Sequence, residues 1–222
     1  AAYFYLWKAW LAMFVSPASM TGLALILLAL ALTAGRLPSA AAGFVKNRAM
    51  SAVFLAGFWA MGFELVCLFA FQNFSGQLNW RLGALFAVFM AGSSAGAWAA
   101  GNAFPRAAGT GAGAAALALS AGLWYFLPRT EFLREGLVFP AFAALLFCGG
   151  AALGGFFAAA SRSRGENCAG FYYSDLLGAA LGGFVFSAAL IPLAGLRAAL
   201  LCAAAAASAG LILSLIPEKL PR

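Results

Sequence analysis

Two acidic side chains stand in segments too apolar to carry them without a reason. Glu64 lies near the middle of GFWAMGFELVCLFAFQNF, and Asp175 lies early in FYYSDLLGAALGG. A charge in the hydrocarbon core of a bilayer is costly, so such residues face a bundle interior or a cavity. Glu64 and Asp175 could together hold a cation or carry a proton. Tyr172, one turn before Asp175, and Gln72, about two turns after Glu64, are the further polar candidates. Each acid also has a plainer reading. An Asp near a helix N-terminus is favoured by the macrodipole and can cap free N–H groups. A buried Glu can stay protonated and hydrogen-bonded to a neighbouring helix. Helical spacing puts Tyr172, Asp175, Gly178, Ala179 and Gly182 on one face. The Asp is therefore expected to point along a seam of small residues toward another helix.

Other chemistries lack their residues. The chain contains no His, which excludes His-ligated zinc, bis-His haem and a Ser-His-Asp triad within it. Its four cysteines, Cys67, Cys148, Cys168 and Cys202, form no CxxC pair, and three lie inside apolar stretches. They are expected to be free and buried, with no metal site and no cofactor held by this chain. No catalytic constellation is recognisable, so the chain is not expected to be an enzyme.

The elements that must position these residues are seven apolar stretches, at about 11–34, 49–71, 81–100, 108–127, 136–160, 171–191 and 197–216. Each is about the length, roughly 20 residues, that a helix needs to cross about 30 Å of hydrocarbon. Only helices and closed barrels satisfy their backbone groups in lipid. The 222 residues are 65% hydrophobic and 9% charged, against about 25% charged in a soluble domain. The pattern predicts an all-α, polytopic membrane helix bundle of about seven transmembrane helices, forming a single integral membrane domain over residues 1–222. The opening AAYFYLWKAW, dense in Tyr and Trp, reads as an interfacial lead-in.

Net charge is +7, from thirteen Lys and Arg against six Asp and Glu. The basic residues sit at helix ends and form no continuous patch, so no nucleic-acid partner is expected. Their distribution reads as topology and lipid-headgroup contact. If the loop with Arg36, Lys46 and Arg48 is cytoplasmic, then Arg106, Arg162, Arg164, Lys219 and Arg222 share that side, eight residues against five opposite. The N-terminus is then outside and the C-terminus inside, in what is expected to be a bacterial inner membrane.

Glycines recur four apart, as Gly92/Gly96, Gly109/Gly113, Gly150/Gly154 and Gly178/Gly182. In helices that touch each other, small residues at this spacing let the backbones approach closely. They predict tight packing within the chain, with a homodimer face as the alternative. FMAGSSAGAWAAG also lines up with FCGGAALGGFFAA, each with Phe followed by Gly three and seven residues later. Such internal repeats occur in transporter folds, and shared composition can produce the same match.

Two stretches carry a family resemblance. LAGFWAMGFELVCLFAFQNF through RLGALFAVFMAGSSAGAWAAG, and GFYYSDLLGAALGGFVFSAALIPLAGLRAALL, resemble the membrane domain of prokaryotic spermidine-synthase-like membrane proteins, also described as fused major-facilitator/spermidine-synthase proteins. The segment from Tyr172 to Gly182 is the more specific part. In that family the membrane domain is joined to a cytoplasmic aminopropyltransferase domain. This sequence contains no Gly-rich strand-to-helix turn for a nucleotide-like cosubstrate, and Phe69 stands where relatives often carry an Arg five residues after the Glu. The resemblance thus implies a non-catalytic membrane protein, an anchor or accessory subunit of a larger assembly, with membrane lipids and other membrane subunits as partners. The alternatives are a transporter or channel for a cationic solute such as a polyamine, and the membrane part of an aminopropyltransferase lacking its catalytic domain.

Overall fold

The computed structural model describes residues 48–75, 80–102, 108–127, 135–162 and 168–215, which are helical throughout. Helix α1 spans Arg48–Ser75, α2 Trp80–Asn102, α3 Ala108–Phe126, α4 Glu135–Arg162 and α5 Cys168–Val185. A π-helical segment, Phe186–Ala194, continues α5 into α6, Gly195–Leu215. The described residues are all-α, and most of their helices are of membrane-span length and composition.

Among the described residues four stretches, rather than about seven, are long and apolar enough to cross a bilayer: Arg48–Ser75, Trp80–Asn102, Gly136–Arg162 and Ala169–Leu215. The differences have three sources. The stretch expected at 11–34 lies outside the described residues. Helix α3, with 19 residues, is long enough, but its Ala- and Gly-rich sequence is not apolar enough. The last two expected spans merge into one continuous helical run of 47 residues. That run is bent: Pro192 lies in the π-helical segment, and Gly195 takes φ 83, a left-handed conformation open to glycine at little cost. Beyond this bend the direction reverses. On α5, Gly178 meets Phe54 and Gly182 meets Phe58, so α5 runs parallel to α1. On α6, Gly210 meets Ala52 and Leu55, while Ala207 shares a cavity with Trp59, so α6 runs antiparallel to α1.

Helix α1 is the hub. Its buried side chains include Trp59, Phe63, Val66, Cys67 and Phe71. Phe63 fills the space over Gly149 of α4, and Phe71 packs edge-on against Phe142 of the same helix at 5.8 Å between centroids. With α1 touching helices on most of its circumference, its sequence is apolar on every side, as a buried helix requires.

The parallel helix pairs share one device. A Cβ on Gly92 or Gly96 would strike the carbonyls of Phe147 and Ala151, and a Cβ on Gly150 or Gly154 would strike those of Phe89 and Ser93. The two sets of contacts interchange when every residue number moves by 58, so α2 and α4 are related by a local two-fold axis along the helices. Phe89-Gly92-Gly96 and Phe147-Gly150-Gly154 are the two halves of the repeated pattern. The α1–α5 pair follows the same rule: Gly57 faces the Asp175 carbonyl and Gly178 faces the Phe54 carbonyl. Gly113 instead accommodates the Leu211 side chain, and Gly109 makes only ordinary contact, 3.5 Å from the Ala159 Cβ.

Exposed aromatic and basic residues mark the two ends of the bundle. Trp80, Trp124, Tyr125 and Arg197, with half-buried Arg81, lie at one end, and Trp98, Tyr172, Tyr173, Arg48 and Arg162 at the other. Trp80 and Trp98, 72% and 69% exposed, are eighteen residues apart on α2, or about 27 Å at 1.5 Å per residue. That separation matches the hydrocarbon thickness, and amphipathic rings and cations at both boundaries are how membrane helices are anchored. The glycine contacts predict opposite outcomes for one substitution at two sites. Gly154→Ala, against the rigid Ser93 carbonyl, should destabilise by about 1–3 kcal/mol. Gly122→Ala, with nothing within 4 Å, should be neutral or stabilise by up to about 1 kcal/mol. Thermal unfolding in mild detergent measures both, and equal effects would contradict the packing.

Candidate functional site

Asp175 lies in the seam between α1 and α5, and Glu64 is buried on α1. Glycine at 57 on α1 leaves room for α5 to lie against its backbone, and the space is taken by Asp175: a Cβ on Gly57 would stand 2.7 Å from Asp175 Oδ1. Glu64 follows Gly57 by seven residues, close to two full turns, and so lies on the same line of α1 about 10 Å further along. Glu64 is buried, at 3% exposure. Glu64 Oε1 and Asp175 Oδ1 are both buried without a hydrogen-bond partner.

Ser75 Oγ, in the last turn of α1, is the third buried side-chain oxygen without a partner among the described residues, whereas several hydroxyls deeper in the bundle are bonded. Trp59 Nε1 donates to Ser120 Oγ at 2.9 Å, and Ser120 Oγ donates to the Ala116 carbonyl at 2.9 Å. Buried Ser174 donates to the Gly170 carbonyl at 2.8 Å, and Ser93 and Ser208 make the same bond one turn back on their own helices. A helix hydroxyl always has such a carbonyl within reach. An Asp or Glu in its ionised form has no donor to offer and must find one elsewhere.

Sequence spacing placed the candidates unevenly. Asp175, Gly178, Ala179 and Gly182 do turn toward α1. Tyr172 does not join them: it is 58% exposed. The buried stripe of α5 runs through Phe171, Ser174, Gly178 and Gly182. Asp175 sits at its edge, and Tyr172 lies about 100° round from Phe171. The macrodipole reading of Asp175 also falls, because α5 begins at Cys168 and has no acid in its first turn. Gln72 is half-buried in the last turn of α1, about 12 Å beyond Glu64 along the axis. The Trp59–Ser120 bond, between residues 61 apart, left no local signal in the sequence.

Of the cysteines, Cys67 is buried as expected, Cys202 is half-buried and Cys148 is exposed. Cys148 points away from the α4 stripe of Phe142, Leu146, Gly149 and Gly150 that packs inward. Among the described residues no three His, Cys, Asp or Glu side chains come together as a metal would need. Arg162, in the last turn of α4, donates to the Ala100 carbonyl of α2 at 3.3 Å. It ties together two helix C-termini whose dipoles favour a cation, while the residue itself remains exposed. Arg48 begins α1 at the same end. Arg36, Lys46 and Arg164 lie outside the described residues.

A small cavity lies on the far side of α1, bounded by Ala56, Trp59, Ala116, Ala152, Phe156 and Ala207 among others. It holds about 20 Å³, room for about one water, but its apolar walls offer none of the partners a water needs. Neither acid lines it. No family model matches the chain, and neither a curated protein nor a solved structure matches it significantly. Glu64→Met removes a buried carboxyl with an unsatisfied oxygen and keeps a similar volume. It should leave the protein as stable or raise its stability by about 1–4 kcal/mol, read as an increased melting temperature in detergent. A large loss of stability would mean that the carboxyl is structurally required.

Proposed function

We propose that this chain is a non-catalytic integral membrane protein that anchors, or serves as an accessory subunit of, a larger membrane assembly. The observation that supports this reading most is the backbone contact at glycine in both parallel helix pairs, α1–α5 and α2–α4. Such contacts fix helices against one another and leave little freedom for the rocking that alternating access requires. The apolar character of the cavity beside Trp59 agrees with a scaffold. In this reading the chain sits in a bacterial inner membrane with its C-terminus in the cytoplasm. Helices α3, α5 and α6 each cross separately, giving about seven crossings together with the stretch at 11–34. The resemblance to the spermidine-synthase-like membrane domain points the same way, with any aminopropyl transfer belonging to a catalytic domain outside these residues. Native mass spectrometry of the chain extracted in mild detergent tests the proposal. A second polypeptide retained at fixed stoichiometry is expected, and a stable, lone monomer from the native membrane would count against it.

A second reading has its own support. Glu64 on α1 and Asp175 on α5, each with a buried oxygen lacking a partner, are what a carrier of protons or of a cationic solute such as a polyamine would need. Under this reading, proteoliposomes containing the protein take up the solute, and both Glu64→Gln and Asp175→Asn reduce uptake at least tenfold. Uptake that is absent, or unchanged in both variants, removes it.

A further inference from the structure

Helices α3 and α6 run antiparallel and diverge toward the end that carries Trp124 and Arg197. At the other end they are in contact, where Leu211 fills the space over Gly113. Toward Arg197 they open into a groove of about 380 Å³, walled by Leu117, Ala121 and Trp124 of α3 and Leu200, Leu201 and Ala204 of α6. Small residues make the space: Ala121 and Ala204 stand where larger side chains would close it. The floor includes Ser120, but its hydroxyl already donates to the Ala116 carbonyl and accepts from Trp59. The groove therefore presents an apolar surface.

Its mouth is charged. The Arg197 guanidinium lies over the Trp124 ring, 4.6 Å from the centroid, an arrangement that holds the cation at the membrane boundary. Arg197 is exposed, and neither α3 nor α6 contains any other charged residue. An occupant that suits both parts has a hydrocarbon chain for the groove and a negative group for its mouth. We infer that this wedge binds one anionic phospholipid, with an acyl chain between α3 and α6 and its phosphate at Arg197. The helix of a partner protein suits it less well. The open part covers only Leu117 to Trp124, about 10 Å along α3, before the two helices close on each other.

The test compares retention of phosphatidylglycerol and phosphatidylcholine by the purified full chain, using native mass spectrometry after incubation with each lipid. The wild type is expected to keep one phosphatidylglycerol under conditions that strip phosphatidylcholine. Arg197→Gln should lower phosphatidylglycerol retention about fivefold, the effect of one basic residue at a membrane surface, and leave phosphatidylcholine unchanged. Ala204→Phe should abolish retention of both by filling the wedge. If that variant does not fold, Ala121→Leu, at an exposed position, fills the same space from α3. Equal retention of the two lipids by the wild type would overturn the inference, as would unchanged selectivity in Arg197→Gln. So would a protein chain co-eluting in place of lipid and lost on filling the groove.

Discussion

Contact between helix backbones at glycine is the constraint from which the rest of this structure follows. Lipid tails are as apolar as the helices they surround, so hydrophobicity gives no reason for one helix to prefer another to lipid. Association has to come from close packing, and packing is closest where a side chain is missing. In both parallel pairs a glycine lies against the carbonyl of the facing helix, and the facing helix returns the contact three residues further on. Gly57 with Gly178, and Gly92 with Gly150, are the paired positions. Approach at this range also brings Cα–H groups near carbonyl oxygens, a weak attraction that recurs at such crossings.

The same approach explains how an acid comes to lie in the α1–α5 seam. Gly57 creates the recess, and Asp175 enters it from the opposite helix. Five residues further along α1, Phe186 takes the place of a side chain at Gly62, its ring tilted against Phe58 at 5.3 Å between centroids. Ser, which can bond back to its own helix, costs little in such a place. Glu and Asp do not have that option once ionised, so the presence of Glu64 on α1 and Asp175 on α5 is the least explained feature in terms of packing alone. It is what keeps a transport reading in view beside the scaffold.

The sequence revealed some of this more clearly than the rest. Gly92, Gly96, Gly150 and Gly154 were legible because spacing by four on an apolar helix has one main use, and the matched Phe-Gly pattern marked the two helices that meet. Gly57 and Gly62 were not, because they stand five apart and their partners are a carbonyl and a ring on a helix more than 110 residues away. The break between the last two apolar stretches, at 191 and 197, falls at the bend with Pro192 and Gly195, although the π-helical turns before it had no signature that hydropathy could reveal. Tyr172 was misplaced because helical spacing from Asp175 took that residue as the centre of the buried face, when it lies at the edge. Cys148 was misplaced for a related reason: an apolar window records depth in the membrane but not which side of a helix meets lipid.

That distinction between depth and facing also bears on α3. Its Ala- and Gly-rich sequence is weakly hydrophobic for a lone span, yet Ala116, Ser120 and Leu123 are buried against neighbours. A helix that shares its surface with α4 and α6 needs less greasy side chains than one exposed to lipid all round. Small side chains also let Trp59 of α1 reach Ser120 with its ring stacked on Phe63 at 5.4 Å. Where α3 stops making close contact with α6, near Ala121 and Ala204, the same small residues leave an opening instead of a seam. Glycine and alanine therefore have two consequences in one bundle. They bring backbones together where a partner helix is in register, and they leave a lipid-sized recess where it diverges.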